Sequence, residues 1–455
     1  MKKNLQQLAT WLNIEEQSFG DTLVTGVSID TRTLEPGDLF IPFRGEAANG
    51  HRFVEQAFEK GAAASLWMRD EPNPPQNRPL LFIDDPEKAL EQMAYAYRSE
   101  HKATIIGITG SNGKTSSKDI LAGALAPYYK VQKTIGNFNN QLGLPITILQ
   151  LDEDTEISVL EMGMSGFGEI EFLTKLARPH YAIITNIGEA HMRDLGSRAG
   201  IAQAKFEIVK GLNGEGVLFF DGDEPLLQEL VAKTDVQTQS FGFGTDNALV
   251  GSQINTTQNG SSFTVNGAIA GEFFISVLGE HQVKNTLSTM LVAKALGLTD
   301  EQIRAALKQV KLTDMRMQLI EAGELLFIND AYNAAPTSMH AAIQFVQDTV
   351  MRTDKWLVLG DMLELGEDEK PFHEELATHI DAEKISHVCL YGPRMGWLYE
   401  KLQATFQKER LVYSESAYEP IIEAIQTSAT NDSLILVKGS RGMKLEMIIN
   451  SVSAK

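Results

Sequence analysis

The sequence predicts a three-domain α/β protein: a small mixed N-terminal domain, a central phosphate-loop domain with a parallel sheet and a small antiparallel insert, and a C-terminal doubly wound domain. Three observations lead there. The 455 residues exceed what one core carries, since domains usually run about 100–200 residues. Apolar, β-branched runs alternate with helical stretches over most of the chain, the order expected of strands covered on both faces. A glycine-rich loop follows one such run and opens a helix at Gly110-Ser111-Asn112-Gly113-Lys114-Thr115.

The first domain is expected over residues 1–100. Short strands are predicted at Gly26–Asp30 and Leu39–Phe43, and helices near Phe53–Lys60 and Glu87–Ser99. Prolines 72, 74 and 75 make residues 71–77 a surface loop, because they break both periodic structures. The second domain is expected over 101–313, with buried strands at Thr104–Thr109, Ile157–Leu160 and Tyr181–Thr185. Residues 241–278, rich in Gly, Thr, Ser and Asn around short alternating runs, predict the antiparallel insert. From 314 to 455 the pattern restarts, with strands at Leu325–Ile328, Trp356–Leu359, Val388–Tyr391 and Leu434–Val437 and helices near Thr337–Val350 and Tyr418–Thr427.

Hydrophobic content of 43% allows each domain its own core without staples. The single cysteine, Cys389, excludes an internal disulfide and reads as a buried, inert thiol. Met1-Lys2-Lys3 is followed by no apolar stretch, so no signal peptide is expected, and no run is long enough for a membrane span. A cytoplasmic location is expected. A net charge of −20 repels phosphate backbones and argues against nucleic-acid binding. Anionic small substrates would need basic residues concentrated locally against that field.

The glycine-rich loop supplies such a place. Its glycines let backbone N–H groups converge on phosphate oxygens at a helix amino end. Lys114 would reach the outer phosphates and the Thr115 hydroxyl would face Mg²⁺. The generic signature asks for a further glycine where Ile108 stands. Glu161, at the end of a central strand, is either a metal ligand or a solvated rim residue. His191 follows the strand Tyr181–Thr185 and is either structural or functional. Lys205 lies four residues after Ile201 and three before Ile208, on the apolar stripe of its helix. There it either snorkels past the core or is functionally paired, since desolvation makes a lysine amine chemically available.

Taken together these residues resemble the Mur ligase family of peptidoglycan synthesis, over nearly the whole chain. The family's phosphate loop has the same Gly-x-x-Gly-Lys-Thr form without the distant glycine, so Ile108 fits it. Further likeness lies in Gly136–Pro145, in Thr185–His191, in Asn329–Pro336, and in Asp30-Thr31-Arg32 with Pro36–Phe40, which is similar to a UDP-sugar domain. Family members commonly have serine where this chain has Thr31; the hydroxyl is retained.

The resemblance implies a UDP-muramoyl-peptide domain, an ATP domain and a Rossmann-like ligase domain in that order. It implies Lys114, Glu161, His191 and Lys205 as catalytic residues. Thr115, Glu161 and His191 match Mg²⁺ ligands, and Lys205 matches a lysine that the family carbamylates with CO₂. Gly110, Ser111, Asn112, Gly113, Lys114, Thr115 and Ser116 match the ATP phosphate site. Asn285 matches an asparagine near the adenine, and Arg316 and Asp330 match residues brought to the nucleotide by the third domain. Thr31, Arg32, Asn139 and Asn140 are assigned to the UDP-muramoyl substrate, and Lys438–Gly442 resembles a loop near the peptide end.

The implied activity is ATP-dependent addition of D-alanyl-D-alanine to UDP-N-acetylmuramoyl-tripeptide through an acyl phosphate, by a monomer. The rival enzyme readings are another Mur-type amide ligase or one like folylpolyglutamate synthase; Asp30–Arg32 and Asn137–Asn140 speak against folate. A nucleotide-binding regulator without chemistry would keep Lys114 but could lose Glu161, His191 and Lys205 together, and all three are present.

Overall fold

The computed structural model describes residues 1–14, 21–45, 48–366 and 369–454. Three sheets organise them, beside a short antiparallel pair at Lys3–Asn4 and Leu23–Val24. The N-terminal sheet is parallel and four-stranded, in the order Gly26–Ser28, Asp38–Phe40, Ala64–Met68, Leu80–Ile83.

The helix Pro86–Glu100 carries the chain into the central domain. Asp85 caps it by accepting from the amides of Glu87 and Lys88, and Pro86 occupies a first-turn position whose N–H would be unpaired anyway. Its face of Leu90, Met93, Ala94 and Tyr97 does not close off a separate N-terminal core. One continuous apolar cluster runs from Leu5 through Tyr97 to Leu160 and Leu218. Polar ties reinforce the join: Tyr97 Oη donates to Leu151 O at 2.6 Å, and Arg98 donates to Ala177 O at 2.6 Å and Arg178 O at 3.1 Å. Those two carbonyls end the helix Glu169–Ala177, where a cation is favoured. The hand-over near residue 100 is therefore a shared core, because the helix face that covers the first sheet also meets the second.

The central sheet has nine strands. From one edge they are Gly271–Ile275, Gly260–Gly267, Leu249–Thr257, Gln237–Gly242, Val217–Asp221, Tyr181–Ile184, Thr104–Thr109, Ile157–Glu161 and Val131–Lys133. The expected antiparallel insert is present as the first three of these, and it extends the main sheet rather than standing apart. The reason is packing. Leu249, Phe263, Val265, Phe273 and Ile275 turn inward and complete the core beneath the helix Glu280–Ala295.

The C-terminal sheet runs Gln318–Ala322, Leu325–Asp330, Ser433–Lys438, Asp354–Gly360, His387–Tyr391, Leu411–Ser414, parallel except at the first pair. The two strands not expected from sequence are its edges. Gln318–Ala322 is half-buried and broken by polar Gln318 and Glu321, and Leu411–Ser414 offers only three apolar residues, so neither presents the long apolar run of a covered strand. Among the described residues no helix is long and apolar enough to cross a membrane.

Replacing Arg98 by Met leaves the carbonyls of Ala177 and Arg178 without their donor. Removing hydrogen bonds from a charged group costs about 1.5–3 kcal/mol each. We expect the urea transition of the joined N-terminal and central core to move to lower denaturant; an unchanged transition would contradict the structural role given to this residue.

Candidate active site

The site follows from the register of three neighbouring parallel strands. Thr104–Thr109 lies between Ile157–Glu161 and Tyr181–Ile184, with Ile108 opposite Glu161 and Thr109 opposite Ile184. The three strands end side by side, so the loops that leave them share one crevice, the usual ligand position in such sheets. Ile108 is fully buried inside its strand. The turn begins only at Gly110, which is why the more distant glycine has no task here.

The loop is shaped by close approaches. Gly110 has φ +153°, and a Cβ there would fall 1.8 Å from Thr185 Oγ1. Gly113 has φ +81°, and a Cβ would fall 2.5 Å from Asn285 Oδ1. Asn186 stitches the loop to the neighbouring strand end: its Oδ1 accepts from Asn112 N at 2.9 Å, its carbonyl accepts from Ser111 N at 3.1 Å, and its amide donates to Asn112 O at 3.1 Å. Ser111 Oγ and Asn112 Nδ2 are buried and find no hydrogen-bond partner among the described residues. Lys114 Nζ lies over the loop, donating to Gly110 O at 2.6 Å and Ser111 O at 3.3 Å. Burial holds its pKa below the usual lysine value, with Glu161 opposing that shift and Arg316 adding to it.

Glu161 is the hub of the polar network. Its carboxylate accepts from Thr115 Oγ1 at 3.0 Å and from Asn139 Nδ2 at 2.9 Å, and Lys118 Nζ stands 3.5 Å away. His191 takes a left-handed backbone at φ +67°, rare for a side chain with a Cβ, immediately before the short helix Met192–Leu195. Its imidazole is pushed down to about 4 by burial and then by the charges of Lys205 and Lys114. Lys205 is 1% exposed in the helix Arg198–Phe206 and makes no hydrogen bond or ion pair among the described residues. Burial, then Lys114, lowers its pKa well below the ordinary value. Of the two readings open to Lys205, snorkelling is excluded by that burial. No group of three His, Cys, Asp or Glu among the described residues could hold a metal; of the four expected ligands one is a hydroxyl and one a lysine, a cation unless modified.

The opposite wall comes from the helix Glu280–Ala295 and from the third domain. Gln282 Nε2 donates to Ser116 Oγ at 3.2 Å, and Asn285 Nδ2 donates to Gln282 Oε1 at 3.1 Å. Arg316 lies over the Tyr332 ring at 4.2 Å and donates from Nη2 to Thr115 Oγ1 at 3.1 Å. Asp330 and Lys438 are paired by register on adjacent strands, and their side chains meet at 2.5 Å. Between these walls is a partly open cavity that reaches from Gly113 and Asn285 to Arg316, Asp330 and Lys438.

The structure thus brings together Gly110 to Ser116, Asn139, Glu161, Asn285, Arg316 and Asp330, and the electrostatics of Lys114 couple His191 and Lys205 to them. Three residues expected at the UDP-muramoyl substrate lie outside this network. Thr31 donates to Gln56 Oε1 at 3.0 Å, and Arg32 is an exposed guanidinium paired with Asp30 at 2.5 Å. No hydrogen bond or ion pair among the described residues joins either to the phosphate loop. Asn140 Oδ1 accepts from Leu142 N at 3.2 Å and Gly143 N at 2.9 Å, just ahead of the helix Gly143–Leu149. The residues that sequence reasoning passed over are Lys118, Asn186 and His281. Lys118 was findable, since it lies one helical turn after Lys114 and so shares its face.

Fold and site together define a three-domain, ATP-dependent amide ligase. The chain belongs to the Mur ligase family. Residues 23–98 match the family's catalytic domain, 108–293 the Mur ligase middle domain, and 315–441 the Mur ligase, glutamate ligase domain. The UDP-N-acetylmuramoyl-tripeptide–D-alanyl-D-alanine ligase of Bacillus subtilis is 45% identical over 456 residues, covering 99% of this chain and 98% of that one. MurF from Acinetobacter baumannii superposes with a TM-score of 0.88 at 28% identity, covering 100% of this chain and 99% of that chain. MurF ligase from Thermotoga maritima, solved in complex with ADP, gives 0.83 at 27% identity, covering 94% and 97%. A folylpolyglutamate synthase of Mycobacterium tuberculosis shares the fold, with a TM-score of 0.65 at 16% identity over 81% of this chain and 94% of that one.

His281, on the cavity wall, is pushed from 6.5 to about 4, chiefly by burial, with Asp330 opposing and Lys438 adding to the shift. As pH falls through 6.5 the unfolded chain takes up this proton, while the folded chain does so only near 4. Stability contributed by the neutral ring is therefore complete above that window and declines through it, at up to about 1.4 kcal/mol per pH unit for one proton. Urea midpoints measured across the window should fall less steeply in His281→Gln than in the unsubstituted protein; equal slopes would contradict the assignment.

Proposed function

We propose that this chain joins D-alanyl-D-alanine to UDP-N-acetylmuramoyl-tripeptide at the expense of ATP. The observation that carries the reading is the convergence of the phosphate loop and the third-domain Arg316 on one cavity, with Glu161 and Arg316 both bonded to the loop's Thr115, in a chain 45% identical to a ligase of that name over its whole length.

Two steps are implied. The terminal carboxylate of the tripeptide attacks the γ-phosphorus of ATP, the bond to the β–γ bridging oxygen breaks, and an acyl phosphate and ADP result. The amine of D-alanyl-D-alanine then attacks the acyl carbon, phosphate departs, the nitrogen loses a proton, and an amide remains. The obstacle in the first step is bringing an anion to a polyanion. Two unit charges ~4 Å apart repel by about 4 kcal/mol at an effective dielectric near 20.

This chain answers with positive groups fixed in advance. Lys114 and the amides of Gly110 to Thr115 take the phosphate oxygens, and Arg316 reaches the same place from the third domain. Thr115 and Glu161 offer adjacent oxygens of the kind a hard cation prefers. Lys205 fits such a set only as a carbamate. Its burial supplies the neutral amine that attacks CO₂, forming an N–C bond with loss of one proton and leaving a carboxylate-like oxygen pair. Mg²⁺ held by Thr115, Glu161, His191 and carbamylated Lys205 would neutralise phosphate charge as it redistributes. Acyl phosphates hydrolyse, so the cavity must close before the amine arrives; the third domain supplies that wall.

Mixing ATP, UDP-N-acetylmuramoyl-tripeptide and D-alanyl-D-alanine with the protein should give, by mass spectrometry, the amide-linked pentapeptide product. Lys114→Ala should lower its formation about a thousandfold or more at unchanged melting temperature; retained turnover would overturn the phosphate-loop assignment. Lys205→Ala should lose activity and recover part of it with small carboxylic acids such as formate or acetate. A folded variant that no such acid revives would count against the carbamate.

A further inference from the structure

Asp119 is a buried acid for which the mechanism above has no use. It sits on the phosphate-loop helix Lys114–Leu125, four residues after Thr115 and therefore on the same face. Its side chain is fully buried, and all its contacts are donors. Oδ1 accepts from Lys133 Nζ at 2.6 Å, while Oδ2 accepts from Thr313 N at 2.9 Å and Thr313 Oγ1 at 2.6 Å. Thr313 lies in the irregular segment between the helix Asp300–Leu307 and the strand Gln318–Ala322, which leads into the third domain. Three residues on, Arg316 returns to the same helix and binds Thr115 Oγ1. Two positions one turn apart on a rigid helix thus hold two positions on the linker.

The linker between and beyond these anchors is unusual. Met315 at φ +62° and Met317 at φ +51° flank Arg316, both left-handed without being glycine. Such backbone persists only where its surroundings hold it. Here Met315 N donates to Gln318 Oε1 at 3.1 Å and Met317 N donates to Asp330 Oδ1 at 3.1 Å. One end of the segment is therefore tied to the central domain through Asp119 and the other to the third domain through Asp330. Asp119 also reaches the metal side of the site: Lys133 precedes Thr134, whose Oγ1 accepts from Glu161 N at 3.0 Å.

We infer that the Asp119–Thr313 contact is the fixed pivot of the third domain, and that Asp119 and Thr313 are positioning residues that set Arg316 over the phosphate loop. Anchoring the linker on the helix that begins with Lys114 means that the arm carrying Arg316 swings from a point fixed relative to the phosphates. The strained turns at Met315 and Met317 take up the rotation. The inference rests on the ligase reading above for its kinetic consequences, and on the contacts alone for its structural ones.

Asp119→Ala leaves Lys133 unpaired beside a buried site and risks misfolding, so the informative variant is Thr313→Val, which keeps shape and backbone donor and removes only the hydroxyl. We expect kcat for product formation to fall about tenfold, KM for ATP to stay within about twofold, and Thr313→Ser to restore the original rate. In an Arg316→Ala background, Thr313→Val should change kcat by less than about twofold, because contacts that act through one residue are not additive. An equal fold loss with and without Arg316, or an undiminished rate in Thr313→Val, would overturn the pivot. Small-angle scattering reads the same claim without turnover: Thr313→Val should shift to a larger radius of gyration, and an unchanged radius overturns the pivot. If the unsubstituted protein forms no product, the ligase reading fails while the scattering still decides this one.

Discussion

Everything in this molecule depends on three parallel strands ending level with one another. The strand Thr104–Thr109 pairs with Ile157–Glu161 on one side and Tyr181–Ile184 on the other, in a register that puts Ile108 beside Glu161 and Thr109 beside Ile184. A shift of one residue in either pairing would carry Glu161 or the Thr185–Asn186 turn away from the phosphate loop. Because the strands are covered on both faces, apolar burial resists such a shift. The site is thus held in place by the core, and its polar contacts refine a position already chosen.

On that platform, charge is handled by isolation. The chain as a whole carries −20, yet Arg316 and Lys438 line the cavity and Lys114, Lys118 and Lys205 are buried behind the phosphate loop, with Glu161 and Asp330 as partners. Burial strengthens each of these interactions, because water no longer screens them. It also explains why Lys114 and Lys205 are both depressed: each is desolvated, and each feels the other or Arg316. A triphosphate entering such a pocket supplies the missing counter-charge. The third domain contributes cations of its own, so the strength of the pocket is tied to domain position.

Much of this was legible in the residues. The phosphate loop, its strand and its helix were readable because glycine spacing, apolar run and lysine all bear on one local turn. Lys205 stood out because a cation on an apolar stripe contradicts its neighbours, and the structure places it among the largest fully buried side chains. What could not be read depends on non-local pairing. The edge strands Gln318–Ala322 and Leu411–Ser414 are short or interrupted by polar residues and gain their identity only from a neighbour. The shared core around Tyr97 needs two distant segments to meet, as does the Asp119–Thr313 contact, 194 positions apart in the chain. Asn140 shows the opposite limit: its bond from Gly143 N spans three residues, yet nothing in the residue pattern marked it.

The central claim is that a buried cationic pocket, built at the ends of those three strands, holds a nucleotide triphosphate. The most direct measurement is a crystal structure with a non-hydrolysable ATP analogue. The account predicts phosphate oxygens within about 3 Å of the amides between Gly110 and Thr115, with Lys114 Nζ turned from its own loop onto the outer phosphates. Phosphates bound elsewhere, with Lys114 still donating to Gly110 O, would contradict it.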